Sequence, residues 1–288
     1  MVKIIAEFCQ NHNGDFKILE EMVREASENG ATHAKIQTIF ADNLTFRAEF
    51  EEELFDKNGK KISIKRPYHN EYQRLKNLEI DKEQSIKFIN ICNENNLIPM
   101  TTCFSRSNIK DILEAGFKSI KVASYDCASY KLIRELKESF EEIVISTGAT
   151  FDDEIENTAK ILENSNYSFL HCVTLYPTPL NEMHLNRMEW LRRFTPNVGL
   201  SDHTLFARDG IEASLAALAI GANIIERHFT ILPPNETKDG PVSINSSALK
   251  SISEFSKLNK KEMLDYLGSN YPNWRNMLGV SQRILSDE

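Results

Sequence analysis

His228, in Ile224-Ile225-Glu226-Arg227-His228-Phe229-Thr230, and His203, in Gly199-Leu200-Ser201-Asp202-His203-Thr204, stand at the ends of two consecutive apolar runs. Asp239 follows shortly after in Lys238-Asp239-Gly240-Pro241. Two imidazoles and a carboxylate at one end of adjacent strands can hold a divalent metal beside a polar substrate. Mixed nitrogen and oxygen donors suit Mn²⁺, Fe²⁺, Co²⁺ or Zn²⁺ better than Ca²⁺. A lone histidine is ordinarily a satisfied core residue; two at successive strand ends, with Glu226 close by, favour a metal. His12 is a further candidate, but its Asn-rich turn suits hydrogen bonding within a loop. His33, His69 and His184 read as surface or lid residues.

A second group is cationic. Lys35 and Lys121 lie inside apolar strands, where an ammonium is costly unless it is paired. Lys35 and Gln37 are two residues apart and share a strand face, as do Glu226 and His228. One reading is a structural ion pair of Lys35 with Glu7 or Glu226. The other is an anion site, with Lys35 and Lys121 supplying charge and Thr102, Ser124, Ser146 and Ser201 donating hydroxyl hydrogen bonds to phosphate or carboxylate oxygens. The five cysteines are odd in number and show no paired spacing, which favours reduced thiols. Cys9, Cys103 and Cys172 fall near strand ends, where zinc is conceivable, but no C-x-x-C spacing supports it.

The elements that must position these groups are short Ile- and Val-rich runs alternating with helix-period segments. Strands are expected at Val2–Phe8, Ala31–Gln37, Ile98–Thr102, Ser119–Ala123, Glu142–Ser146, Ser168–His171, Val198–Ser201 and Asn223–His228. Helices are expected at Lys17–Asn29, Lys82–Asn95, Ser107–Ala115, Phe151–Asn164, Asp209–Ile220 and finally Ser247–Leu264. Eight strands in βαβ alternation predict an α/β fold, a (β/α)8 TIM barrel. A doubly wound sheet is the rival, but no G-x-G-x-x-G follows the first strand. Residues 41–80 form an extended βα loop after the second strand. Its acidic half (Glu49, Glu51, Glu52, Glu53) reads as a solvated face. Lys57, Lys60, Lys61, Lys65 and Arg66 follow, and the stretch from Lys65 to Tyr72 is the better candidate lid. Tyr266, Tyr271 and Trp274 suggest that the tail docks on the barrel or on a second subunit.

The 288 residues are 41% hydrophobic and carry a formal net charge of −8, with a pI near 5.5. That balance suits a cytoplasmic enzyme and argues against nucleic acid as a partner. No apolar run reaches the ~18 residues of a membrane span.

Taken in order, the motifs resemble the sialic acid synthase family of phosphoenolpyruvate-condensing enzymes. They are Ile5-Ala6-Glu7 with Asn11-His12-Asn13-Gly14, Lys35-Ile36-Gln37-Thr38, Phe104-Ser105, Lys121-Val122-Ala123-Ser124 and Ser146-Thr147-Gly148. His171-Cys172 before Tyr176-Pro177-Thr178-Pro179 and the two histidine motifs complete the set. The resemblance implies a metal-assisted condensation of phosphoenolpyruvate with an N-acylated aminosugar aldehyde, with C–O cleavage and phosphate release. It implies His203 and His228 as ligands of Mn²⁺ (or Mg²⁺ or Co²⁺), and Glu7 as the group that orients or deprotonates the reacting water. Lys35, Thr102, Lys121, Ser124, Ser146 and Ser201 match phosphoenolpyruvate positions; Gln37, Tyr176 and Asp239 match sugar positions. A homodimer is the expected assembly.

Three departures stand out. Asp126, in Ala123-Ser124-Tyr125-Asp126, replaces a longer acidic side chain, and Thr174 replaces an asparagine before the Tyr-Pro pair. Residues 1–264 account for the barrel and 265–288 for a tail, leaving no room for the family's C-terminal antifreeze-like domain; the 41–80 loop is the candidate replacement over the sugar site. Another metal-dependent barrel aldolase or epimerase, or a non-catalytic sugar-binding barrel, are the alternatives.

Overall fold

The structure, a computed structural model, describes residues 2–52, 54–57, 59, 61–63 and 65–281. Eight strands among them close into a parallel barrel: Lys3–Cys9 (β1), His33–Thr38 (β2), Ile98–Cys103 (β3), Ser119–Val122 (β4), Glu142–Ser146 (β5), Tyr167–His171 (β6), Val198–Asp202 (β7) and Ile224–His228 (β8). Each strand pairs with its sequence neighbours, and β8 closes on β1 with Glu7 opposite His228. The expected fold is therefore the observed one, and every strand lies within two residues of its expected bounds.

Alternation along the strands sorts the side chains. Ile4, Ala6 and Phe8 of β1, Ala34 and Ile36 of β2 and Ile225 of β8 pack outward with helix residues such as Leu19, Met22 and Val23. Those three lie on the helix Phe16–Glu28, which Asp15 caps by accepting from Lys17 N at 2.8 Å. The alternate residues Ile5, Met100, Val144, Leu170 and Ile224 form a separate apolar plug inside the barrel. Below the plug, at the N-terminal end, Glu142 is ion-paired with Lys3, accepts from Ser119 Oγ at 2.5 Å and lies 3.6 Å from His33 Nε2. His33 is thus a buried floor residue rather than a surface one. Two residues above the plug on each strand, the interior turns polar.

Residues 41–80 make two 3₁₀ turns, a short hairpin (Leu54–Phe55 against Lys61–Ser63) and the helix Tyr68–Lys76. Glu53, Lys60 and the side chain of Lys61 fall outside the described residues. The single helix expected at Ser247–Leu264 is two, Ser246–Phe255 and Lys260–Asn270. Asn259 and Glu262 form a capping box that starts the second one, so the 264/265 boundary lies inside a helix. Beyond it, Trp274 and Met277 are buried, and Met277 O accepts from Leu185 N at 2.9 Å. The tail docks on the barrel through residue 281; residues 282–288 lie outside the described set.

Candidate active site

The first polar layer above the plug is a closed charge network. Lys35 is paired with Glu7, lies 3.5 Å from Glu226 and donates to Thr102 Oγ1 at 3.1 Å. Lys121 lies 3.7 Å from the other Glu226 oxygen and donates to Ser146 Oγ at 2.7 Å and to Val122 O at 3.0 Å. Ser201 Oγ donates to Glu226 Oε1 at 2.7 Å, and Gln37 donates to Glu7 Oε1 at 3.2 Å. Glu7, Lys35, Lys121 and Glu226 are each at most 5% exposed. The ion pair expected as the competing reading of Lys35 is present, and so is the row of hydroxyls expected of an anion site.

Electrostatics divide the two carboxyls. Burial pushes Glu7 up to about 7, only partly offset by Lys35 and reinforced by the Glu226 charge. Glu226 is equally buried, but the two ammoniums and Ser201 outweigh that and hold it at about 2. Burial lowers Lys121, whereas for Lys35 the two carboxylates outweigh burial and hold it above its ordinary value.

The second polar layer lies at the mouth. His203 and His228 approach with ring centres 5.3 Å apart, and Tyr176 packs on both at 5.3 and 6.1 Å. Thr178 N donates to His203 O at 2.9 Å, which pins the loop after β6, and Tyr176 with it, over the histidines. Asp239 accepts from Tyr176 OH at 2.6 Å and from Cys9 Sγ at 3.0 Å. The ligating atoms of Cys9, His228 and Asp239 all lie within 4.8 Å of one another. His228 Nδ1 is buried with no hydrogen-bond partner among the described residues. Burial lowers the His228 pKa, leaving the neutral imidazole that a metal requires. Cys172 Sγ lies 3.6 Å from His203 Nδ1, and His203 with Lys121 brings that thiol below its ordinary value despite burial.

The other expected site residues lie at the rim. Ser124 Oγ accepts from Gly148 N at 3.2 Å. Asp126 accepts from Ser129 Oγ at 2.9 Å and lines an open cavity of about 480 Å³ with Phe104, Arg106 and Tyr130. Thr174 is exposed in the loop after β6. His12 is buried and its Nδ1 accepts from Gly14 N at 3.1 Å, the loop role its turn suggested. The 41–80 segment reaches the mouth through Arg74, which donates to Gln10, and through Glu71, 3.9 Å from Lys238.

Two features escaped the sequence reading. Cys9 has no C-x-x-C partner, yet it stands beside Asp239 and His228; its position two residues beyond Glu7 is the available signal. Asp202 and Arg227, inside the quoted motifs, form a fully buried pair behind the histidines.

A closed parallel barrel that buries lysines, carboxylates and hydroxyls beneath paired histidines at its C-terminal mouth is a (β/α)8-barrel enzyme. Residues 22–265 match the NeuB family, and the chain belongs to that family. It is 30% identical over 256 residues to the N,N'-diacetyllegionaminic acid synthase of Campylobacter jejuni, covering 86% of this chain and 73% of that one. It is 29% identical over 258 residues to the N-acetylneuraminate-9-phosphate synthase of Drosophila melanogaster, covering 87% and 66%. The crystal structure of the N-acetylneuraminic acid synthetase from Leptospira borgpetersenii, in complex with citrate, matches with a TM-score of 0.75 at 25% identity, over 93% of this chain and 92% of that one.

Proposed function

We propose that the protein condenses phosphoenolpyruvate with an N-acylated aminosugar aldehyde to give a nine-carbon 2-keto sugar acid and phosphate. The observation that carries this reading is the pairing of two layers: Lys35 and Lys121 among the hydroxyls of Thr102, Ser146 and Ser201, directly beneath His203 and His228. The lower layer suits the phosphate and carboxylate of phosphoenolpyruvate, with Ser124 at its edge. The upper layer, with Gln37, Tyr176, Asp239, Asp126 and Thr174, suits the sugar.

The unpartnered, buried His228 Nδ1 and the His203 ring beside it fit a divalent ion such as Mn²⁺. Such an ion would polarise the aldehyde oxygen. The chain's own residues do the rest. Lys35 and Lys121 turn from Glu7 and Glu226 to the substrate's anionic groups and hold carbon 3 against the aldehyde carbon. As the new C–C bond forms, positive charge develops at carbon 2, where Glu226 is held ionised close by. Freed from Lys35, the Glu7 carboxylate takes a proton from the water that adds at carbon 2; that proton passes to the former aldehyde oxygen to make the new hydroxyl, and phosphate departs by C–O cleavage as the remaining hydroxyl gives up its proton to form the ketone. No covalent nucleophile is needed.

The test is phosphate release from phosphoenolpyruvate against a panel of N-acylated mannosamines and 2,4-diacetamido hexoses with Mn²⁺ present. Release that depends on one of these sugars is expected; none with any of them would refute the reading. The 41–80 segment is the proposed cover of the sugar site, so deleting residues 49–66 should raise the sugar KM. Unchanged Michaelis constants for both reactants would remove that role.

A further inference from the structure

The loop after β1 carries a thiol where the backbone resists a side chain. Cys9 adopts φ +48°, in the left-handed region that strains a non-glycine residue and persists where the surroundings enforce it. The β1–β2 register shifts between Glu7 and Cys9, and such a bulge re-aims a side chain. The result places Cys9 Sγ 3.0 Å from Asp239 Oδ2, with both in reach of a His228 nitrogen.

We infer that Cys9 and Asp239 are metal ligands alongside His228, making this a thiolate-containing centre for a borderline-soft ion of the Zn²⁺, Fe²⁺ or Co²⁺ class. The inference builds on the proposed histidine metal site and changes its donor set. Three donors from three segments — the end of β1, the end of β8 and the loop beyond it — surround one point. His228 Nδ1, buried and without a hydrogen-bond partner among the described residues, is an independent mark of a donor held ready for a ligand. His203 stands beside the three, its ring centre 5.3 Å from that of His228 and its Nδ1 toward Cys172. A sulfur donor shifts preference from Mn²⁺ and Mg²⁺, which favour oxygen, towards softer ions. Without a cation, Cys9 shares its proton with Asp239; a bound ion replaces that proton, which leaves to solvent. Asp239 thereby belongs to the ion, and Tyr176, which donates to its other oxygen, fixes its orientation.

The test uses chelator-stripped full-length protein titrated with Co²⁺ under anaerobic, reducing conditions. Wild type should bind one ion and develop an intense thiolate-to-Co²⁺ charge-transfer band in the near ultraviolet. Cys9→Gly keeps the φ without strain; it should lose the band and still bind through the histidines. Losing an outer partner costs about 10–100-fold in metal affinity, so losing Cys9 should cost at least that. Cys172→Ala should keep the band. Wild-type Co²⁺ binding with no band, an unchanged Kd in Cys9→Gly, or a band lost only in Cys172→Ala would each overturn the inference. If binding occurs without a band and His228→Ala abolishes it, the histidine site stands and only the Cys9 role falls. If wild type binds no Co²⁺, both fall.

Discussion

Asp202 and Arg227 form a buried ion pair on the outer face of β7 and β8, directly behind His203 and His228 on the inner side. Asp202 also accepts from Thr204 N at 2.9 Å, Thr204 Oγ1 at 2.8 Å and Ser214 Oγ at 2.6 Å. Although it is buried, Arg227 and these donors hold its carboxyl below the usual range. The two histidines are thus fixed from behind by one network.

Arg227→Met should therefore destabilise the protein strongly. It leaves a buried carboxylate without its cation, a change that costs about 3–5 kcal/mol. Urea unfolding measures it, and a loss below about 1 kcal/mol would show the pair to be dispensable.

Glu7 gives the reaction its pH dependence under the proposed mechanism. The working form is the carboxylate, and burial holds the group at about 7, so kcat/KM should climb as pH rises through that value. Stability runs the other way. A carboxyl raised from 4.5 to about 7 contributes fully below pH 4.5, and that contribution is lost as pH rises through 7. Glu7→Gln should remove the climbing limb and flatten the matching part of the stability profile. An unaltered limb in that variant would assign the titration elsewhere.

Lys121→Met should weaken phosphoenolpyruvate more than sugar. A hydrogen bond to a charged group is worth about 1.5–3 kcal/mol, so the phosphoenolpyruvate KM should rise roughly 10- to 150-fold. Initial rates with each substrate varied in turn check this, and equal rises in both KM values would deny Lys121 a place in the anion layer.

Gly199 lets β7 and β8 pair. A Cβ there would lie 2.0 Å from Ile224 O, a backbone atom that cannot step aside. Gly199→Ala should part the two histidine-bearing strands and cost about 1–3 kcal/mol. A Tm within a degree of wild type would show that the strands yield freely.

Much of this was legible because a barrel strand states its burial in alternate residues. Lys35 with Gln37 and Glu226 with His228 each announced a shared face, and their contacts follow from that period. Asp202 and Arg227 were harder: period two places them outward, yet nothing in sequence says that an outward charged pair will be wholly buried under the loop beyond β7. Cys9 was harder still. Its use depends on a left-handed φ and a one-residue register shift, which hydrophobic patterning does not encode. His33 departs from the expected surface position because a polar residue entering a strand can face the barrel floor, where Glu142 receives it. The expected single C-terminal helix divides in two because Asn259 and Glu262, which look like ordinary surface residues in sequence, cap a new turn.

The plug of Ile5, Met100, Val144, Leu170 and Ile224 closes the floor beneath the lysines. The well consequently has one door. Under the proposed reading, phosphoenolpyruvate seated on the lysine layer is shut in by the sugar at the histidine layer, so traffic is sequential. Phosphoenolpyruvate must enter first and phosphate, released beneath the new sugar acid, must leave last. Product-inhibition patterns should be competitive for phosphate against phosphoenolpyruvate alone; random-order kinetics would mean a second exit.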